Sequence, residues 1–186
     1  MWPPFPADAA RELLVLARRS ILLAFSGQPP PAPPQARSAF DEPRGAFVTI
    51  EKGRALRGCI GRIESSGPLW RTVVEMARAA AFEDPRFPPL EAPELEEVRL
   101  ELSVLSPPHP LGDPAAEVEI GVHGLIVQRG PFRGLLLPQV AERHRWDVTT
   151  FLTETCRKAG LPADAWRRAD TRAWAFRADV FAEGEA

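Results

Sequence analysis

One thiol in this chain sits where a thiol could do chemistry. Cys59 lies in Leu56-Arg57-Gly58-Cys59-Ile60-Gly61. Cysteine attacks or ligates as the thiolate, and a nearby guanidinium favours that form. If the hexapeptide is a strand, its side-chain period of two puts Arg57, Cys59 and Gly61 on one face and Leu56, Gly58 and Ile60 on the other. Gly58 and Gly61 clear space around the backbone, as glycine in a strand does where a bulge forms or another group approaches closely. As an exposed functional charge, Arg57 could be cut to alanine with little change in melting temperature.

A nucleophile needs a base, and there are three histidines. His123 precedes Gly124 near a strand end, where a ring can stand at the rim of a sheet. His144, in Arg143-His144-Arg145, reads as solvated, and His109, between prolines, as a loop residue. Cys/His catalysis requires Cys59 and His123 within hydrogen-bond reach. Asp84-Pro85-Arg86-Phe87-Pro88-Pro89 is a rigid corner carrying one acid and one base, and its simplest reading is a local pair stiffening a turn. No metal site is expected, because Cys-x-x-Cys and His-x-x-x-His spacings are missing. The glycines fit neither a Walker loop nor a dinucleotide fingerprint.

The elements that must position these residues follow from periodicity. Phe47 to Ile50, a turn at Lys52-Gly53-Arg54 and Ala55 to Ile63 make a β-hairpin. Before it, Asp8 can cap a helix running to Phe25 with Leu13, Leu16, Ala17, Ser20, Ile21 and Ala24 on one face, and Gly27 stops it. The proline-rich stretch over about 27–36 is an extended connector. After it, Ser65-Ser66-Gly67-Pro68 opens a helix whose small residues Ala77 to Ala81 let it lie close to a sheet, and Pro85 ends it. Val98 to Val104 alternates as an antiparallel strand, as does Val118 to Val122. Leu125–Val127 and Leu135–Leu137 flank a turn over Gly130 to Gly134, and a short helical segment follows through Trp146. Asp147 caps the last helix, which buries Cys156 and ends at Gly160, and Arg172 to Phe181 is the final strand. Strands scattered among helices without regular alternation favour α+β.

At 186 residues, 45% hydrophobic and 26% charged, with a net charge of -2, the chain fits one ordinary globular domain, or a domain with a small appended lobe. Its bases are interspersed with acids, so no nucleic-acid partner is expected. No apolar run is long enough for a membrane span. Two cysteines and no secretory signal point to a reducing cytoplasm.

Several ordered segments together resemble one family, the AMMECR-type domain. The hexapeptide is its hallmark, joined here by Gly45-Ala46-Phe47-Val48-Thr49, Asp84-Pro85-Arg86-Phe87, Glu101-Leu102-Ser103-Val104-Leu105, Gly121-Val122-His123-Gly124-Leu125, Gly134 to Val140 and Cys156 to Leu161. The resemblance spans nearly the whole chain. It implies one α+β domain over 1–186, an antiparallel sheet flanked by helices, with a larger and a smaller lobe and a cleft near the hexapeptide. Within the family the chain resembles the bacterial and archaeal AmmeMemoRadiSam group, which implies a Memo-like protein and a radical S-adenosylmethionine enzyme as partners; no cofactor is expected. Motif match carries over Arg57, Cys59, Asp84, Arg86 and His123 as reactive positions and Gly58, Gly61 and Gln139 as ligand-binding ones. Two functions follow as expectations. In one, the chain is a binding or accessory component whose cleft holds a small molecule, a peptide or a partner. In the other it is an enzyme with Cys59 as nucleophile, Arg57 and Arg86 as anion clamp, and Asp84 or His123 handling protons.

Overall fold

The computed structural model describes residues 3–35 and 38–184. The first element is α1 (Ala7–Phe25), preceded by Pro6 at its N-cap; Asp8 stands in the first turn, not at the cap as expected. Ala9, Leu13, Leu16, Ala17, Ser20 and Ile21 are buried along it, and Gly27 follows with a left-handed φ of 64°. The connector has no regular structure through Pro34, as prolines without amide donors require; its expected last position, 36, lies outside the described residues. A short helix, α2 (Ser38–Asp41), precedes the hairpin β1 (Ala46–Lys52) and β2 (Ala55–Arg62). Gly53, at φ 65°, turns it.

Next come α3 (Leu69–Phe82), a 3-10 turn over Ala92–Glu96 and β3 (Val98–Leu105). β4 (His109–Pro110) and α4 (Pro114–Glu117) follow. The alternation over Val118 to Val122 is not a strand. Gly121 is left-handed at φ 82°, and the amides of Val122 and His123 both donate to the Glu119 carbonyl, so the chain folds into a turn. The hairpin β5 (Gly124–Arg129) and β6 (Phe132–Leu136) turns at Gly130, and Gly134 belongs to the strand. Then come α5 (Pro138–His144) and α6 (Val148–Lys158), the latter capped by Asp147 through the Thr150 amide as expected.

The expected final strand divides into β7 (Arg172–Phe176) and β8 (Ala178–Ala182). Arg177 separates them because Ser106 takes both its peptide groups: the Arg177 N–H donates to Ser106 Oγ, and its carbonyl accepts the Ser106 N–H, each at 2.9 Å. The strands form two four-stranded sheets, β2-β1-β3-β8 and β4-β7-β5-β6. This is an α+β fold, and it divides into two compact units, residues 1–105 with 179–186 and residues 106–178.

In the first unit, Ala46, Val48 and Ile50 of β1 and Val98, Leu100, Leu102 and Val104 of β3 face one way and are buried with the apolar stripes of α1 and α3. Each buried Val, Leu or Ile among them contributes about 1.5–3 kcal/mol of hydrophobic stabilisation. In the second unit, Val127 and Ala173 face α6 and its Cys156, and the other end of α6 buries Phe151 and Leu152 with Leu125. Among the described residues no helix is long and apolar enough to cross a membrane.

Candidate functional site

Gly58 explains how the hexapeptide is positioned. A Cβ there would stand 2.2 Å from the Ala80 carbonyl oxygen of α3, so the bare backbone is what lets helix and strand touch. Gly58 therefore points inward and packs. The helix occupies the space its missing side chain leaves, so the expected ligand-binding role finds no opening on that side. Ala77, Ala80 and Ala81 are all buried, and Ala80 is the one at this contact. About one helical turn beyond Ala80 the chain reaches Asp84, beside the next residue of β2.

There the corner does specific work. The Cys59 N–H donates to Asp84 Oδ2 at 2.8 Å, and the Cys59 carbonyl accepts from Arg86 Nη2 at 3.0 Å. Strand β2 is the edge of its sheet, and edge strands leave outward-pointing N–H and C=O groups without a ladder partner. Asp84 and Arg86 supply both partners with their side chains, replacing one rung of a missing strand. The two are also bound to each other, Nε to Oδ1 at 2.9 Å and Nη2 to Oδ2 at 2.7 Å. Asp84 is buried. Its carboxyl is held well below the usual range, first by the Arg86 hydrogen bonds, with burial opposing and the Cys59 and Arg86 amides adding to them.

The expected alignment of Arg57 with Cys59 does not occur. Register shifts between Ile50 and Glu51, so that Glu51 faces Leu56 while Ile50 faces Gly58, and Arg57 is the extra residue of a β-bulge. A bulge re-aims its side chain. The Arg57 guanidinium forms a fork with Glu94, Nε to Oε1 at 3.1 Å and Nη2 to Oε2 at 2.9 Å, and donates to the carbonyls of Pro88 and Pro89. Its side chain is only 14% exposed, which is not the free charge expected from the sequence. Glu94 is lowered to about 2, first by Arg57 and then by the Glu91 amide, against burial. Arg57→Ala is therefore expected to cost about 2 kcal/mol, read as a lower urea midpoint, since it takes the fork from Glu94, leaving it the Glu91 amide and Lys52, and removes the donor from two carbonyls.

Cys59 lies on the outer face of the sheet, opposite Thr49, whose Oγ1 donates to Sγ at 3.4 Å. Thr49 in turn stands opposite Glu101 of β3. Directly opposed side chains have Cβ atoms about 5 Å apart, so thiol, hydroxyl and carboxylate form one row across three strands. All three residues are half-buried. The guanidinium that reaches Cys59 is that of Arg86, at the carbonyl of the residue. Its pKa is raised, first by Asp84 hydrogen bonding, against burial, and then by the charge of Asp84 and by Cys59. In the next row Phe47 opposes Gly61, and a Cβ on Gly61 would fall 2.2 Å from the Phe47 ring and 2.7 Å from the Ala46 carbonyl. The space at Gly61 is thus taken by an aromatic ring, not left for a ligand.

The other two expected positions belong to the second unit. His123 Nδ1 accepts the Glu119 N–H at 3.0 Å, which makes Nε2 the protonated nitrogen of the neutral ring. Burial pushes the imidazole below its ordinary value, the charge of Glu119 opposes this, and Arg177 adds to it. Gln139 is the second residue of α5, and its Oε1 is buried with no hydrogen-bond partner among the described residues. Thr49 and Glu101 were not singled out from sequence. Each alternates outward on its own strand, but placing both beside Cys59 needs strand register, and Glu101 is 42 positions from the thiol. Among the described residues no cluster of three or more His, Cys, Asp or Glu could hold a metal ion.

The family model described as AMMECR1 matches residues 14–181. A protein of Methanothermobacter thermautotrophicus is 44% identical over 188 residues, covering 98% of each chain. Protein NEQ441 of Nanoarchaeum equitans is 41% identical, over 92% of this chain and 98% of its own. The crystal structure of the uncharacterized protein PH0010 from Pyrococcus horikoshii is similar with a TM-score of 0.83 at 37% identity, covering 97% of this chain and 94% of that one. A match of this extent in family, sequence and fold means that the chain belongs to the AMMECR1 family.

Proposed function

We propose that the chain is a binding component that presents the outer face of its first sheet, around Cys59, Thr49 and Glu101, to a partner. The reading rests on how the charged groups are used. Arg57 is held by Glu94, and Asp84 and Arg86 hold each other and the Cys59 peptide. Groups engaged in this way position a strand edge and are not available as an anion clamp or a proton shuttle. The hexapeptide and its supporting segments resemble those of the AmmeMemoRadiSam group, and on that resemblance the proposed partners are a Memo-like protein and a radical S-adenosylmethionine enzyme, met in the cytoplasm. A Memo-like protein from the same genome, titrated calorimetrically with the chain, is expected to bind, and Glu101→Lys to weaken binding at least tenfold while circular dichroism shows the variant still folded. Absence of binding by both partners, or an unchanged affinity in Glu101→Lys, rejects the proposal.

A nucleophilic Cys59 is the second reading, favoured by the half-exposed Arg86 guanidinium held at the carbonyl of the same residue. Iodoacetamide labelling of the Cys156→Ser protein against pH separates the two. An enzyme of this kind labels with a midpoint well below the roughly 8.5 of a free cysteine. A binding surface labels no more readily than the free amino acid.

A further inference from the structure

The second sheet carries a hollow that the proposal above does not use. On β5 and β7, Val127 and Ala173 pair and pack toward α6, so their neighbours Gln128, Arg172 and Trp174 belong to the opposite face. Register sets Gln128 against Arg172. With the left-handed Gly130 of the β5–β6 turn and Asp170 just before β7, these side chains border an open hollow of about 370 Å³ lined by Gln128, Gly130, Asp170, Arg172 and Trp174. That volume is in the range of small-molecule sites.

The lining is chemically specific. It offers one carboxylate, one guanidinium, one amide and one indole. Neither Asp170 nor Arg172 has a hydrogen-bond or ion-pair partner among the described residues, although they stand two positions apart and border one cavity. Between them Thr171 keeps its Oγ1 buried and without a partner among the described residues. Gln128 donates its Nε2 to the Gly130 carbonyl at 3.3 Å, which leaves the amide oxygen to accept. A phosphate would meet Arg172 but be repelled by Asp170, and a simple cation faces the reverse problem. A ligand with one positive and one negative group close together satisfies both.

We infer that this hollow binds a free α-amino acid with an apolar side chain. The α-carboxylate takes the Arg172 fork in a two-bond geometry, the α-ammonium meets Asp170 and the Gln128 oxygen, and the side chain lies against Trp174, whose indole gives a flat apolar wall. The inference stands apart from the reading of the first sheet, and neither depends on the other.

The test is calorimetric titration of the full chain with L-phenylalanine, N-acetyl-L-phenylalanine and L-phenylalanine methyl ester. The free amino acid is expected to bind, and each blocked form to bind at least tenfold more weakly. Asp170→Asn should weaken the free amino acid and abolish the penalty for blocking the amine, while Arg172→Gln should do the same for the carboxylate. Both residues are exposed, so melting temperatures should stay near the parent value. No heat from L-phenylalanine at millimolar concentration overturns the inference, as does equal binding of the three compounds or by both variants.

Discussion

Asp84→Ala is expected to lower the unfolding free energy at neutral pH by about 3 kcal/mol, because it leaves Arg86 without its carboxylate and the edge of β2 without an acceptor. The loss should appear as a reduced urea midpoint. It should also depend on pH in a definite direction. The folded pKa of Asp84 is depressed, so its stabilisation is complete above the unfolded value near 3.8 and fades as pH falls through the folded value. Glu94 behaves alike, from 4.5 unfolded to about 2 folded. The parent protein should therefore lose stability steadily as pH drops below about 4.5. Asp84→Ala should show a shallower acid slope, the remainder belonging to Glu94 and its Arg57 fork. Equal slopes for parent and variant would show that the corner does not hold the strand edge.

Gly58→Ala is the second large effect. The added methyl would stand 2.2 Å from the Ala80 carbonyl oxygen, and a helix backbone cannot swing aside as a side chain can. Helix α3 would have to move off the sheet by about 1 Å, and overpacking of this kind costs about 3 kcal/mol. The same displacement draws Asp84 from the Cys59 amide. Combined with Asp84→Ala, the glycine change should therefore cost less than the sum of the two, since both act on one contact. Full additivity by urea denaturation would show that the helix approach and the carboxylate contact are independent. A variant with parent-like stability would overturn the packing role assigned to Gly58.

The candidate site was legible in sequence in its chemistry and only partly in its geometry. That Asp84 and Arg86 would pair could be read from a two-residue spacing across a proline, because such an interaction is local. That the pair would close on the Cys59 peptide could not, since 25 residues separate Asp84 from that amide. Alternation sorted β3 into a buried and an outer face and set Gly58 and Cys59 on opposite faces of β2, yet it failed for Arg57. A bulge changes the count by one residue, and nothing in the order of side chains says on which residue the count will slip. His123 was placed at a sheet rim from its neighbour Gly124, while the turn before it, set by the φ of Gly121, hid behind a false alternation at Val118, Ile120 and Val122.

By itself the sequence determined the α+β class, the two hairpins, the helices around Leu13, Val73 and Phe151, and the family, because these depend on periodicity and on short ordered segments. Tertiary structure alone decided that Gly58 is a contact surface for a helix, that Arg57 belongs to Glu94, and that thiol, hydroxyl and carboxylate share one row. The reason is that a local pattern says which way a side chain can face along its own strand. What it then meets is set by register and by the close approach of elements far apart in the chain.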